Sequence, residues 1–344
     1  EMNMRLSYDN VLGSSVSIQG ISGQNVKILI DGVPVIGRLN GDIDLSQINL
    51  NNISKVEIVE GPLSVDFGTD ALAGTINLIT NQDSENIFSS SYNLFYESVG
   101  NYNADLSLSY NLKNHYIGLD VGRKYFDGWS KNEDFTFFPK SELADTNRTK
   151  SWNPKEQYFG KIQYKFKSNQ NTYRIYYDMY DEKITNLGFP RLPYFETAFD
   201  DYYFTKRNNF GFDIDFNLND FKKIKILSSV NDYNRIKNTY FKDLTTLEET
   251  LTNSNSDQDT SQFNLLMNKV VFSSFSNELI NYQIGFDSKV ELAKGQRINN
   301  EQRSLGDHAI FLTSKWTPTN YFSIKPAFRF SYNSKFNVPI IPSL

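Results

Sequence analysis

Residues 26–81 read VKILIDGVPVIGRLNGDIDLSQINLNNISKVEIVEGPLSVDFGTDALAGTINLITN, and this stretch decides the fold. Three short runs within it, residues 26–30, 56–60 and 75–80, are rich in Val and Ile. Gly, Pro, Asp or Asn bound each run, which is the punctuation of a compact β-containing unit. Asp31-Gly32 is a turn signal, because Gly accepts positive φ and Asp hydrogen-bonds its own backbone. Gly61-Pro62, Gly68 and Gly74 mark further sharp bends. Composition and spacing alone lead to a small α/β globule.

Outward from this unit, the chain changes texture after Asn86 and alternates with period two. Tyr173, Ile175, Tyr177 and Met179 fall on one face, with Thr172, Arg174 and Asp178 on the other. Phe210, Phe212, Ile214, Phe216 and Leu218 oppose Gly211, Asp213, Asp215 and Asn217 in the same way. This dyad suits a membrane β-barrel, apolar outside and polar inside, and on a single strand it also suits a soluble sandwich. The connections separate the two. The pattern predicts about eleven strands of roughly 10–14 residues, near the length that crosses a bilayer at a tilt. They lie near residues 87–98, 102–112, 115–126, 156–167, 171–182, 207–218, 222–234, 261–274, 278–293, 306–317 and 321–334. Short polar turns at 112–114, 168–170, 219–221, 275–277 and 318–320 alternate with long links at 127–155, 182–206, 235–260 and 293–305. The first hairpin, around 99–101, has a short tip on the long-link side. Short turns on one side and long loops on the other mark a barrel.

Composition agrees. The 344 residues have a mean hydropathy of −0.49, and no apolar run approaches the ~20 residues of a membrane helix. Aromatics reach 15%, with 27 Phe and 21 Tyr, which suits the aromatic girdles of a membrane interface. There is no Cys, so no disulfide or thiolate metal site can form. A net charge of −5 argues against nucleic acid as a partner.

The blocks at residues 28–34 (ILIDGVP), 53–62 (ISKVEIVEGP), Phe67-Gly68 and 74–80 (GTINLIT) together resemble the plug domain of TonB-dependent outer-membrane transporters, in the family's order and spacing. The residues that carry the resemblance are Asp31, Gly32, Pro34, Glu60, Gly61, Pro62, Gly68 and Gly74. Phe67 stands where Tyr is usual, and Glu60 where a basic residue often precedes Gly-Pro. The pattern is similar to the siderophore-type branch rather than to glycan importers. The resemblance implies a membrane all-β fold: an antiparallel transmembrane barrel with an N-terminal α/β plug in its lumen. Residues 1–83 would be the plug, its N-terminal part and TonB box missing, and residues 84–344 the first eleven or so barrel strands. Plugged transporters close with about 22 strands, so the rest of the barrel is expected from a missing C-terminal half or a second chain. The implied setting is the outer membrane of a Gram-negative bacterium. The implied partners are the TonB–ExbB–ExbD complex, outer-membrane lipid and a small ligand such as a ferric chelate. Heme, cobalamin, another metal chelate or a glycan are rival cargoes. A passive porin and a surface-binding or signalling receptor are rivals of another class.

The residue types that could carry chemistry each fit a plainer role. Asp66-Phe67-Gly68 matches a kinase triplet without the other kinase motifs, and the glycines at 61, 68 and 74 form no phosphate loop. His115 and His308 share parity with apolar residues, which suits interface rings better than metal ligation. The pairs Asp200-Asp201, Asp213/Asp215 and Asp257/Asp259 read as solvated carboxylates rather than an acid–base pair. No catalytic residue, metal site or cofactor is therefore expected, and the protein reads as not an enzyme. Trp129, Phe135, Phe137, Phe138 and Trp152 crowd one long link, and Phe189, Tyr194, Phe195, Phe199, Tyr202 and Tyr203 the next. Such aromatics serve recognition or pack together as a girdle. Arg148, Arg191 and Arg207 would meet an anionic chelate. The resemblance places loop 35–40 and residues 22–25 at the outward apices of the plug. Arg38, Asn40 and Gln24, with Trp129, Arg191 and Tyr194, are therefore the expected substrate contacts, and a plug–barrel salt bridge is the alternative for Arg38.

Overall fold

The structure, a computed structural model, describes residues 4–9, 11, 13–39, 41–60, 65, 73–130, 148–254, 256–275, 279–296, 298, 302–319, 321–337 and 340–343. The N-terminal unit holds β1 (Met4–Asp9) and β2 (Gly13–Ile18), paired antiparallel as a hairpin. Then follow β3 (Val26–Ile30), β4 (Val33–Pro34), β5 (Ile53–Glu60) and β6 (Gly74–Thr80) in a sheet of order β4-β3-β6-β5. Only β3 and β6 in that sheet run parallel. Two 3-10 turns, Gly23–Asn25 and Leu45–Gln47, complete its regular elements, with Val65 helical. The Asp31-Gly32 signal is a two-residue hairpin between β3 and β4, both residues with positive φ (52° and 85°). A core of Val16, Ile18, Val26, Ile28, Ile43, Ile48, Ala73, Ile76 and Leu78 holds the unit together.

The remainder is one large antiparallel sheet: β7 (Phe88–Glu97), β8 (Asn101–Leu112), β9 (His115–Phe126), β10 (Lys155–Ser168), β11 (Asn171–Leu187), β12 (Thr197–Asn219), β13 (Lys222–Asp243), β14 (Glu249–Leu251), β15 (Asp259–Ser274), β16 (Ile280–Gly295), β17 (Gln302–Thr319), β18 (Phe322–Ile324), β19 (Ala327–Asn333) and β20 (Ile341–Ser343). Long strands pair with their neighbours in chain order. Every expected strand is present. The strand expected over 321–334 is split into β18 and β19 around Pro326, which has no N–H to give a ladder. Residues 197–206 and 235–243, expected within long links, instead extend β12 and β13 and pair with each other. Cross-strand rings support this extension, Phe199 on Phe241 at 5.8 Å and Tyr202 on Tyr240 at 5.6 Å between centroids.

The sheet is inside-out relative to a water-soluble protein. Ile175, Tyr177, Met179, Phe210, Phe212, Ile284, Phe286, Ile310 and Phe330 stand exposed on one face. Arg174, Glu182, Arg207, Asp213, Asp287, Lys289 and Arg329 are buried on the other, beneath the N-terminal unit. Exposed apolar rows and buried charge satisfy a sheet whose outer solvent is hydrocarbon.

Candidate functional site at the seam and the long-loop end

Contacts between the N-terminal unit and the wall climb β10 at alternate residues, beginning at the short-turn end. Asp83 accepts from Lys165 Nζ at 3.1 Å and Lys167 Nζ at 2.5 Å, and Gln163 Nε2 donates to Asn81 O at 2.8 Å. Above them Asp31, at the tip of the β3–β4 hairpin, accepts from Arg174 Nη1 at 3.0 Å and Lys161 Nζ at 3.4 Å. It also receives Thr80 N at 2.9 Å and Thr80 Oγ1 at 2.8 Å, while Arg174 Nε donates to Asp213 at 2.7 Å. Burial alone would raise the Asp31 pKa. The charges of Lys161 and Arg174 and the Thr80 hydrogen bonds outweigh it and hold the carboxyl at about 2.

Higher still, the 3-10 turn Leu45–Gln47 docks between β10, β11 and β12. Gln47 Nε2 donates to Glu182 at 3.2 Å, Arg207 Nη2 to Gln47 O at 2.7 Å, and Gln157 Nε2 to Ser46 O at 3.2 Å. Arg235 Nη2 reaches Val11 O at 2.9 Å, and Arg329 Nη1 reaches Val65 O at 3.2 Å. Charge complements across the seam, because residues 1–83 carry ten acids against four bases and the facing wall is rich in Lys and Arg. Two apolar clusters cross it, Val33 and Ile36 on Leu227, Leu265 and Met267, and Val65 on Phe311 and Ala327. Gly37 then lies flat on Tyr233: a Cβ there would sit 2.3 Å from the ring, at a φ of +99°. Gly37→Ala is expected to weaken docking by about 2–4 kcal/mol through strain and overpacking. Hydrogen exchange would show it as faster exchange at β3 amides with β12 amides unchanged.

The expected contact residues divide. Arg38 donates from Nη1 to Gly23 O and Gly41 O, both at 2.9 Å, and from Nη2 to Val26 O at 3.0 Å. Its guanidinium therefore ties its own loop to the segment around Gly23–Val26 and to Gly41. Gln24 sits in the 3-10 turn Gly23–Asn25 beside it; its side chain and Asn40 lie outside the described residues. Trp129 bridges Trp152 through two backbone hydrogen bonds (3.0 and 2.8 Å), and Trp152 packs on Tyr8 with centroids 4.5 Å apart. Arg191 lies 4.5 Å above the Phe199 ring, and Tyr194 projects from the same hairpin, 75% exposed. The tryptophan pair with Tyr8, and the Arg191–Tyr194 hairpin, are thus two aromatic groups at the long-loop end. Phe135, Phe137, Phe138, Gly61, Pro62, Gly68 and the Glu60 side chain lie outside the described residues. The reading of Asp200 and Asp213 as solvated is corrected: both are buried, Asp200 against Arg148 and Asp213 against Arg174. Among the described residues no group of His, Asp or Glu is placed to hold a metal. His115 and His308 instead meet Tyr164 Oη and Ser288 Oγ, each at 2.8 Å. The seam residues Arg174, Lys161, Glu182, Arg235 and Tyr233 escaped sequence reading; the alternation of Lys161, Gln163, Lys165 and Lys167 on one face was their available signal.

Residues 3–75 match the family described as TonB-dependent Receptor Plug Domain. The fold is similar to that of the ferric yersiniabactin uptake receptor FyuA of Yersinia pestis, at 14% identity over 96% of this chain and 52% of that one, TM-score 0.68. It is similar also to the siderophore receptor PirA of Acinetobacter baumannii (14% identity, 99% of this chain, 54% of that one, TM-score 0.72). The copper transporter OprC shares it too (14% identity, 95% and 50%, TM-score 0.70). The chain spans about half the length of these structures.

Proposed function

We propose that this chain, a plug domain of the TonB-dependent receptor type set against a run of receptor-barrel strands, serves active import of a scarce metal chelate across the outer membrane. The cargo we favour is a ferric siderophore complex. The observation that carries the reading is the seam: a self-cored domain joined to a barrel wall by many ion pairs and hydrogen bonds and by two small apolar clusters. Such a domain is fixed at rest and can be displaced without dismantling its core. In this reading residues 1–83 are the plug and 84–344 barrel strands, completed by further strands of the same polypeptide or of a second chain. Trp129, Arg191 and Tyr194 at the long-loop end, with Gln24 and Asn40 at the apex, touch the chelate, and Arg38 positions the apex. Ligand binding shifts the population of plug states, and TonB–ExbB–ExbD supplies the work of opening. No bond is made or broken.

Uptake of labelled ferric siderophores, copper, heme and cobalamin, with and without TonB, tests the reading. Accumulation of an iron chelate that stops without TonB is expected. Trp129→Ala or Tyr194→Ala should weaken its binding by roughly ten-fold or more, as loss of an aromatic anchor does. Copper stands as the second cargo, because one structural neighbour is a copper transporter. Uptake of copper with failure of every iron chelate would overturn the siderophore assignment; TonB-independent uptake of every cargo would overturn the active mechanism.

A further inference from the structure

Beneath the apex, β11, β12 and β13 bring six inward residues into a two-by-three block. Glu182, Thr205 and Arg235 form one row across the strands, and Tyr180, Arg207 and Tyr233 the next. All six are buried, the two arginines at 7% and 6% exposure. Each guanidinium spends Nη2 on a plug carbonyl, Arg207 on Gln47 and Arg235 on Val11. Each also lies over a ring, Arg207 over Tyr180 at 5.2 Å and Arg235 over Tyr203 at 5.0 Å. Among the described residues, Arg207 Nη1, Arg235 Nη1, Thr205 Oγ1 and Tyr233 Oη are buried without a hydrogen-bond partner. Four orphaned donors in one block call for water or an ion.

Charge decides between them. The carboxylates nearest the block are Glu182, with donors on both oxygens, and Asp44, whose Oδ1 has donors and whose Oδ2 has none. Glu182 takes Gln47 and Gln157, and Asp44 takes Ser14 N and Ser46 N. Lys155 lies 3.6 Å from Glu182 and 3.9 Å from Asp44. Asp178 adds a third carboxylate in the field of Arg207. Yet among the described residues no carboxylate lies within ion-pair distance of Arg207 or Arg235, and a buried cation without a close counter-charge is costly. We propose that this block is an anion site, taking a small oxyanion (a carboxylate or phosphate group) on the free guanidinium edges and the Thr205 hydroxyl. Guanidinium suits such oxygens in geometry as well as charge. Because the same two arginines hold Gln47 and Val11, an anion there completes the seam and tightens the plug. The inference goes beyond the transport reading and depends on no cargo.

The test is thermal unfolding of the full-length protein in detergent, titrated with inorganic phosphate and with citrate at ionic strength held by sodium chloride. A saturable rise in the midpoint is expected. It should weaken roughly ten-fold in Thr205→Val, which removes one donor while keeping the volume, and vanish in Arg235→Gln or Arg207→Gln. A rise with phosphate alone identifies a phosphate-type anion, and a rise with citrate alone a carboxylate. No saturable rise, or an equal rise in Thr205→Val and Arg235→Gln, overturns the site; the equal rise is the general effect of excluded anions.

Discussion

Asp31→Asn should release the plug from the wall at a cost of about 3 kcal/mol or more, the scale for breaking one partner out of a buried ion pair. The substitution keeps the side-chain shape, and Asn tolerates the positive φ of 52° at this position. What changes is charge: Arg174, buried at its tip, would keep Asp213 as its one close carboxylate, and Lys161 would lose the carboxylate nearest its Nζ. Adding Lys161→Met should recover part of the loss, because it removes one stranded cation. The wild type adds a pH signature. The Asp31 carboxyl sits at about 2 when docked against an ordinary value of 3.8, so docking favours the ionised form. That contribution, about 2–3 kcal/mol, is whole above about pH 4 and is lost as pH falls through about 2. Proteolysis of the plug in detergent at pH 7, 5 and 3 checks both points. The wild type should resist at pH 7 and 5 and begin to yield at 3, while Asp31→Asn should yield throughout with little pH dependence over that range. A variant as resistant as the wild type would remove Asp31 from the latch.

Phe212→Arg, on the exposed face of β12, should cost about 2–4 kcal/mol when the protein folds into a bilayer, the range for a cation near the midplane of a lipid-facing strand. Phe212 is exposed, and the substitution buries nothing against protein. On a water-facing sheet the same change would stay within about 0.5 kcal/mol. Denaturant titration in lipid vesicles separates the two, and a change below 1 kcal/mol would mean that this face does not meet hydrocarbon.

Much of the frame was legible because its signals are local. Asp31-Gly32 announced a hairpin by backbone preference alone, and the parity of Tyr173 to Met179 announced a strand and its faces. The upper strands were hidden by the same logic. Asp200-Asp201 and Lys206 read as loop polarity, and the adjacent rings Tyr202, Tyr203 and Phe204 break the alternation. Their pairing with 235–243 is a contact between segments each of which looks irregular by itself. The latch was hidden by distance: Asp31 meets Lys161 130 residues along the chain. Inward Lys and Arg on an alternating strand suit a water-filled lumen equally well, so nothing near them says that a domain covers them. Arg38 was expected to touch substrate or to pair with the wall; the three carbonyls it donates to are groups that every residue has and no side-chain pattern reveals.

The spacing of the seam contacts along β10 has a mechanical consequence. Lys155, Gln157, Lys161, Gln163, Lys165 and Lys167 all hold the plug, and they are separated by two or four residues. At about 3.3 Å per residue, the bonds form rungs roughly 7–13 Å apart instead of one sheet of contact. A load pulling one end of the plug along the wall would meet these rungs in succession, beginning at Asp83 if drawn from the short-turn end. Each polar bond loses its hold over a fraction of an ångström, so the joint is brittle and unzips by steps. An apolar interface of the same area would yield only by sliding as a whole.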